Sequence, residues 1–433
     1  MFPVVYLEIF FGSHGEIFKQ QEGMKKMNYK VIALIILAVT FVYKLFIEYL
    51  NVRSTNNPLP ENVKDIYDAE KYKTWRKYKG EKSKNEILSL ITGFIVEFLA
   101  MALNVYACFS GLFPDVFFWG MFAVLLLNNL LDIFQIPIAY YDDMKIEAKY
   151  GFNRKTKKTF WADRIKTFLI SLIILTIVGA ILIFFHTKLG DWLIVAFAGA
   201  LMLIMLLISF LYPVFSKIFN KFTPLEDGEL KEKLTALLEK NGYKVRAIQV
   251  MDGSKRSTKM NAYFTGFGKM KTVVLYDTLK EAMTVDEICA VFAHEMGHGL
   301  HKDTLKSSFM SFIEVAILSV LAWFTLRTPE VFTDFGFNGI NYGFAIILIM
   351  SVEFALLQPL FALFTNYILR KHEYRADQQA VKEGYGESLI LALKKLAVSN
   401  FADLNPDPLI VKLYYNHPTL SQRFEAIEKR LVK

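Results

Sequence analysis

Long apolar runs alternate with polar stretches along the whole chain. A helix needs roughly 20 apolar residues to cross a bilayer core about 30 Å thick. Seven runs reach that length and predict transmembrane helices at 31–50, 87–112, 116–139, 167–185, 192–215, 309–326 and 342–369. The last run contains Pro359, so we expect tilt or a kink there. The pattern therefore predicts an all-α polytopic membrane protein.

In residues 216–308 the apolar runs are too short to cross a membrane and alternate with polar residues. Apolar residues at 227–241 recur with the spacing of an amphipathic helix. Thr284, followed three residues later by Glu287, is typical of a capping box and predicts the start of a second helix. Two segments rich in β-branched residues predict strands, at 245–251 and 272–276. We therefore predict a small α+β domain between the fifth and sixth membrane helices.

Positive charge is concentrated in the long loops. Loop 51–86 contains nine Lys or Arg residues and loop 140–166 contains eight, whereas the short turns on the other side contain Lys188 and Arg327. Basic loops generally stay on the cytoplasmic side of a membrane, so the long loops are predicted to be cytoplasmic. Three lysines near the N-terminus favour the opposite orientation but are outnumbered, at positions 25, 26 and 30.

The composition agrees with a membrane protein and argues against nucleic-acid binding, a disulfide framework and a cysteine-based metal site. Hydrophobic residues make up 54% of the chain, against about 45–50% in soluble proteins. The net charge of +8 is explained by the loops, and the absence of a basic helix argues against nucleic-acid binding. Cys108 and Cys289 are too few for a disulfide framework or a cysteine-based metal site. The N-terminal segment 1–30 has no cleavage site and no role that we can assign.

The candidate chemistry lies at His294-Glu295-Met296-Gly297-His298, just before the sixth apolar run. This is the H-E-x-x-H pattern of zinc metalloproteases. Residues at i and i+4 of a helix share one face, so both imidazoles can bind one metal ion. Glu295 can take a proton from a water bound to that ion. The pattern predicts a zinc endopeptidase with one Zn²⁺ per chain.

A catalytic zinc has three protein ligands, so a third ligand must lie elsewhere in the chain. The metzincin pattern requires His where this chain has Thr304. His301 lies roughly 60° off the ligand face, and we interpret it as structural or supporting. Glu373 is the better candidate, because two membrane crossings after His298 return the chain to the same side. Asp377, one turn later, can accept a hydrogen bond from a ligand imidazole.

Five short stretches carry a resemblance to a known family. They are Lys-Tyr-Gly-Phe-Asn-Arg-Lys-Thr at 149–156, Asn-Ala-Tyr-Phe at 261–264, His-Glu-Met-Gly-His at 294–298, Glu-Tyr-Arg-Ala-Asp at 373–377 and Asn-His-Pro-Thr-Leu-Ser-Gln-Arg at 416–423. From about residue 30 to its end the chain resembles the type I CAAX prenyl proteases, which are integral-membrane zinc endopeptidases. The HtpX-like proteases are more distant relatives with fewer membrane helices, so seven helices favour the CAAX-type branch.

The resemblance implies roles for the metal site. His294, His298 and Glu373 would bind zinc, and Glu295 would be the general base. On the helical spacing given above, Asp377, one turn after Glu373, would support the site by accepting a hydrogen bond from a ligand imidazole.

The resemblance also implies roles outside the metal site. Asn261 and Tyr263 would bind a substrate that lies extended along an edge strand. His417 and Arg423 would stabilise the oxyanion or hold the carboxylates of the zinc site. His417 in a turn and Arg423 paired with a surface acid are the alternatives for these two residues.

Six polar or charged residues lie within the predicted membrane helices: Glu97, Asn128, Asn129, Asp132, Glu314 and Glu353. Charges at that depth usually face a bundle interior or water. The family resemblance implies a large water-filled chamber enclosed by seven helices, which this distribution favours. Hydrogen bonds between helices of a close-packed bundle are the alternative.

These features divide the chain into five predicted parts. They are an N-terminal segment (1–30), helices one to five with basic cytoplasmic loops (31–215), a metalloprotease domain (216–308), helices six and seven (309–369), and a C-terminal cytoplasmic part that carries the third zinc ligand (370–433). The active site is predicted on the cytoplasmic side of the cell inner membrane or the endoplasmic reticulum, depending on the host.

The predicted function is hydrolysis of peptide bonds in a peptide or protein substrate at the lipid bilayer. The resemblance implies CAAX-type processing of C-terminally prenylated proteins. Quality control of membrane proteins is one alternative, and a transporter or receptor with a structural zinc is another. Glu295 distinguishes the last alternative, because a structural zinc needs no carboxylate beside its ligands and no open position.

Overall fold

The computed structural model describes residues 28–114, 117–265 and 270–432. The α-helices before the sheet are α1 (Tyr29–Ser54), α2 (Ala69–Ala102), α3 (Val105–Ser110), α4 (Phe117–Leu131), α5 (Ile136–Tyr141), α6 (Lys157–Leu189) and α7 (Leu193–Phe219). The later ones are α8 (Glu229–Lys240), α9 (Asp277–Ala282), α10 (Val285–Leu300), α11 (Asp303–Leu326), α12 (Pro329–Asp334), α13 (Tyr342–Leu348), α14 (Phe354–Lys382), α15 (Gly386–Asn400), α16 (Pro408–Tyr414) and α17 (Leu420–Leu431). Only the last three residues of the predicted N-terminal segment are among those described.

Six helical stretches of the described chain are long and apolar enough to cross a membrane. They are Tyr29–Ser54, Ala69–Ala102, Phe117–Glu147, Lys157–Ile208, Leu305–Leu326 and Tyr342–Lys382. The fourth stretch has 52 residues and contains α6 and most of α7, which the 3-10 turn Gly190–Trp192 separates. The protein is therefore a mostly helical, polytopic membrane protein with about six candidate spans.

The predicted second and third membrane helices are less regular than the sequence indicated. Helix α2 begins earlier, at Ala69, and is followed by a break at Asn104, whose φ of +57° is left-handed. The third apolar run was predicted to be continuous to residue 139, but α4 ends at Leu131 and a 3-10 turn follows. Pro137 lies in the first turn of α5. Because proline has no N–H group, it cannot continue the hydrogen bonds of the preceding helix.

Polar side chains inside the membrane bundle bond to one another. Tyr106 Oη donates to Glu97 Oε2 at 2.9 Å and lies 3.0 Å from Asn128 Oδ1. Thr325 Oγ1 donates to Glu353 Oε1 at 2.8 Å. These residues are therefore satisfied by hydrogen bonds between membrane helices. For them, the structure favours a close-packed bundle over a water-filled interior.

The part of the chain that follows α7 contains a four-stranded sheet. Its strands are β1 (Phe222–Pro224), β2 (Lys244–Met251), β3 (Ala262–Thr265) and β4 (Met270–Tyr276), arranged in the order β1-β2-β4-β3. β2 and β4 are parallel, and the outer pairs are antiparallel. The predicted strands correspond to β2 and β4, whereas pattern alone predicted neither β1 nor β3, which have only three and four residues. β3 therefore lies at one edge of the sheet.

Helix α10 begins where the sequence predicted. Thr284 caps it, and both hydrogen bonds of the capping box with Glu287 are present. The helix packs into the main core of the domain, where its Phe292 is buried with residues of α8, of the sheet and of the C-terminal helices. They include Leu234, Ile248, Val273, Leu393 and Phe424. This core fixes the H-E-x-x-H residues relative to the sheet.

The segment between β2 and β3 is fixed to elements near the membrane. Arg154 N–H donates to Arg256 O at 3.0 Å, so the Lys-Tyr-Gly-Phe-Asn-Arg-Lys-Thr stretch lies beside this segment. Lys259 Nζ lies 3.1 Å from the buried Glu147 Oε2 and donates to Tyr78 Oη at 3.2 Å. These contacts hold the chain where it enters β3.

Candidate active site

Helices α10 and α14 approach each other closely at the middle of the H-E-x-x-H sequence. A Cβ atom at Gly297 would lie only 2.8 Å from Ala376 Cα, so this contact requires glycine. The approach brings both histidines to Glu373. His298 Nε2 lies 3.2 Å from Glu373 Oε1, and His294 Nε2 lies 3.5 Å from Glu373 Oε2.

The donor atoms of His294, His298 and Glu373 lie within 4.8 Å of one another. Ligands at 2.0–2.2 Å around a tetrahedral zinc lie about 3.4 Å apart, close to the 3.2 and 3.5 Å observed here. Glu373 Oε2 is buried and makes no hydrogen bond with the described part of the chain. Two imidazoles and one carboxylate are a donor set of catalytic zinc sites. These residues therefore fit a divalent metal ion.

The second ring nitrogen of His294, Nδ1, contacts a buried carboxylate, which a guanidinium group holds in place. His294 Nδ1 lies 2.8 Å from Asp377 Oδ1. Arg423 donates to both oxygens of Asp377, from Nε at 3.0 Å and from Nη2 at 2.7 Å. Arg423 Nη1 also lies 3.7 Å from Glu373 Oε2. Helix α17 thus fixes two acidic residues of the site through one side chain.

A second carboxylate holds His298 in the same way. His298 Nδ1 lies 3.2 Å from Asp303 Oδ2, and Arg375 Nη2 donates to Asp303 Oδ1 at 2.6 Å. Lys302, in the left-handed conformation with φ +54°, turns the chain between α10 and α11 and brings Asp303 back to the ligand. His301 caps the C-terminus of α10.

Glu295 and His417 complete the surroundings of the metal ligands. Burial alone would lower the pKa of His298, but Glu373, Glu295 and Asp303 together raise that pKa to about 9. The negative charge of Glu295 thus favours the protonated form of one predicted metal ligand. His417 Nε2 lies 3.4 Å from Glu373 Oε1, and half of its side chain is exposed. His417 therefore borders the site from the solvent side.

The predicted substrate-binding residues lie at the edge of the sheet. Asn261 is exposed and directly precedes β3, and Tyr263 lies within β3. Tyr276 N–H donates to Asn261 O at 3.1 Å, which continues the pairing with β4. Helix α10 lies against β3, so this edge and the metal ligands belong to one region.

Comparison with known proteins agrees with this geometry. Residues 48–221 match the family model described as "CAAX prenyl protease N-terminal, five membrane helices", and residues 224–431 match Peptidase family M48. The "CAAX prenyl protease 1 homolog" of Arabidopsis thaliana is 32% identical over 90% of this chain and 95% of its own length. The "CAAX prenyl protease 1" of Saccharomyces cerevisiae is 35% identical over 70% of each chain. The crystal structure of S. mikatae Ste24p has a TM-score of 0.86 at 28% identity and covers 93% of this chain and 100% of its own.

The chain belongs to the CAAX prenyl protease 1 family of M48 peptidases. This M48 peptidase is a multi-pass membrane metalloprotease with peptide or protein substrates. The family and the enzyme class predicted from the sequence are confirmed, and the transporter or receptor alternative is set aside.

The structure of this M48 peptidase adds Asp303 and Arg375 to the residues considered from the sequence. Asp303 was not predicted, because it lies beyond the end of α10, where helical spacing no longer applies. The available signal was an acidic residue at the first position of the next helix, five residues after the second histidine.

Proposed function

We propose that this protein is a zinc endopeptidase that cleaves the C-terminal region of CAAX-type substrates on the cytoplasmic side of a membrane. The convergence of His294, His298 and Glu373 on one point carries the proposal, because these three residues would hold Zn²⁺. The zinc ion would act as a Lewis acid for water and for the peptide carbonyl group. No covalent intermediate between substrate and protein is required.

Glu295 is the proposed general base. It follows the first proposed ligand on α10, and its negative charge contributes to raising the pKa of His298. Its carboxylate takes a proton from the attacking water and passes it to the nitrogen of the leaving amine.

Arg423 and His417 have different proposed roles. Three nitrogens of Arg423 are directed at Asp377 and Glu373. These contacts favour the role of holding the carboxylates of the metal site. His417 is half exposed beside Glu373, so it is the residue we assign to the carbonyl oxygen as that oxygen gains charge.

The substrate would lie extended along the outer edge of β3, beside Asn261 and Tyr263. An edge strand offers backbone groups that can pair with an added peptide chain. Such pairing does not depend on the peptide's sequence, so CAAX-type specificity would come from its lipid and from its chain end. The names of the relatives support a prenylated substrate.

A panel of CAAX peptides with and without a farnesyl group tests this function. We expect the metal-loaded protein to cleave the farnesylated peptides on the C-terminal side of the modified cysteine, detected by mass spectrometry. Cleavage of unfolded, unmodified peptides at many internal positions, with no preference for the farnesyl group, would favour membrane-protein quality control instead.

We further propose that the helices cross the membrane seven times. Two observations favour separate crossings for α6 and α7. Gly190 between them has a φ of +53°, and Lys166, near the start of α6, donates from Nζ to Ile218 O, near the end of α7, at 2.9 Å. When the start of one helix contacts the end of the next, the two helices run antiparallel. An antiparallel pair crosses the membrane twice. We also propose that the chain divides at about residue 216, where the first five membrane helices end and the metalloprotease domain begins.

Cysteine labelling tests the proposed topology. In a background in which Cys108 and Cys289 are alanine, Lys158→Cys should react with an impermeant maleimide only from the cytoplasmic side. Lys188→Cys, in the last turn of α6, should react only from the opposite side. Reaction of both cysteines from the same side would contradict separate crossings of α6 and α7.

A further inference from the structure

Four polar or charged side chains lie along one face of α14. They are Asn366, Arg370, Glu373 and Asp377, at spacings of four, three and four residues. Such spacings place side chains in one stripe along a helix. Glu373 and Asp377 belong to the metal site, whereas Asn366 Nδ2 donates to Leu413 O of α16 at 2.6 Å. The stripe therefore connects the metal site with α16.

Arg370 caps the C-terminus of α16. Its Nη1 donates to Val411 O and to Tyr415 O, each at 2.8 Å, and lies 3.3 Å from Lys412 O. The last carbonyl groups of a helix have no partner within that helix, and a cation beside them is favourable. Among the described residues Arg370 forms no ion pair with a carboxylate, in contrast to Arg423. Its contacts therefore fix the backbone of α16 and not an acidic group.

The segment that Arg370 holds leads directly to His417. Tyr415 follows the last residue of α16 in an extended conformation, and His417 is two residues further on. Two residues of chain span at most about 7 Å. Pro418 restricts the backbone of the residue before it, and Thr419 starts α17 with a complete capping box. The backbone that carries His417 is thus fixed on both sides, and Arg370 supplies a fixed point on the α16 side.

Side-chain contacts hold the His417 ring only at its two nitrogens. Nδ1 lies 2.6 Å from Oδ1 of the exposed Asn416, and Nε2 lies 3.4 Å from Glu373 Oε1. A half-exposed ring with such partners takes its position mainly from its backbone. Arg370 and Glu373 lie on consecutive turns of α14, so one rigid helix sets the distance between the proposed metal ligand and His417.

We propose that Arg370 is a positioning residue, which holds His417 at the metal site through the carbonyl groups at the end of α16. The inference rests on the proposed function, in which His417 stabilises the carbonyl oxygen of the substrate as that oxygen gains charge. A misplacement of about 1 Å in such a group can cost about 100-fold in rate. Loss of the Arg370 contacts should therefore impair catalysis while the metal ligands stay in place.

Arg370→Met removes the N–H donors with little change in side-chain length. We expect kcat for a cleaved peptide to fall about 10- to 100-fold and KM to change less than about threefold, because the oxygen is charged only in the transition state. Zinc affinity, measured by competition with an indicator dye, should stay within about twofold of the parent, since all three proposed ligands remain. Arg370→Lys keeps a charge and N–H donors and should recover most of the lost kcat. A kcat of Arg370→Met equal to that of the parent would overturn the inference.

Lys371→Gln is the matched control. It removes a positive charge from the next residue of α14, which is exposed and whose Nζ lies over the ring of Tyr367, 4.4 Å from its centroid. The variant should keep the kcat and the zinc affinity of the parent. A loss of kcat as large as that of Arg370→Met would assign the effect to charge on α14, and the positioning role would be wrong.

A double-mutant cycle with His417→Ala separates positioning from general support of the fold. If Arg370 acts through His417, Arg370→Met should change kcat by less than about twofold in a protein that already carries His417→Ala. An equal fold loss in both backgrounds would mean that Arg370 supports the whole site, which would overturn the inference. Asn366→Ala breaks the neighbouring contact with α16 and serves in the same cycle if Arg370→Met does not fold. Its loss of kcat should be smaller and should also disappear with His417→Ala.

The single variants separate this inference from the function on which it rests. If the metal-loaded parent cleaves no CAAX peptide, the proposed function is wrong. If His417→Ala cleaves as fast as the parent, the role proposed for His417 is wrong, and the positioning role of Arg370 is wrong with it. If His417→Ala is slow but Arg370→Met is not, only the positioning role is wrong.

Discussion

Glu295→Gln is expected to retain its metal and to lower kcat for peptide hydrolysis about a thousandfold. The amide has the size of the carboxylate but cannot accept a proton, and positioned general bases contribute about 10²–10⁴ in rate. Glu295 is outside the set of converging donor atoms, which belongs to His294, His298 and Glu373. Hydrolysis of a cleaved peptide and metal content by elemental analysis should be measured on the same sample.

A matched control for this variant lies on the same helix. Asp286→Asn removes a carboxylate from the exposed first turn of α10, where Asp286 Oδ1 contacts Lys233 Nζ at 3.0 Å. It should keep both the metal and the activity of the parent. If Glu295→Gln cleaved peptides as fast as the parent, Glu295 would not be the base, and another group would have to remove the proton.

Sequence reasoning was strongest where one physical constraint dominates. Bilayer thickness sets the length of an apolar run, so the existence of the membrane helices was predictable. The i, i+4 spacing placed His294 and His298 on one face of α10. Glu373 was predicted from topology, because two crossings return the chain to the side it left, and the helical spacing to Asp377 and the family resemblance agreed with it. The structure brings these three residues together.

Sequence reasoning was weakest where tertiary contacts decide the local structure. β3 has only four residues and is defined by its pairing with β4, which no periodic pattern signals. Asp303 reaches His298 only because Lys302 adopts a left-handed conformation. Arg370 contacts Tyr415 across 45 residues of chain. Such contacts depend on the assembled core, so a single sequence does not reveal them.

Glu373→Ala should lower the affinity of the protein for zinc more than about 100-fold, because one of three proposed ligands is lost. Asp303→Asn and Asp377→Asn leave all three in place but weaken the acceptor that orients one imidazole. Loss of such supporting groups typically costs about 10- to 100-fold in metal affinity. Competition with a zinc-binding indicator dye measures this graded series without relying on activity.

The order of these affinities separates coordination from support. Glu387→Gln, at an exposed position in the first turn of α15, removes a carboxylate away from the site and should bind zinc as the parent does. Unchanged zinc stoichiometry in Glu373→Ala would remove Glu373 from the ligand set. If Asp303→Asn bound zinc like the parent while Asp377→Asn did not, only the Asp377–Arg423 pair would orient a ligand. Asp303 and Arg375 would then connect α11 to α14 without acting on the metal, since their ion pair spans those two helices.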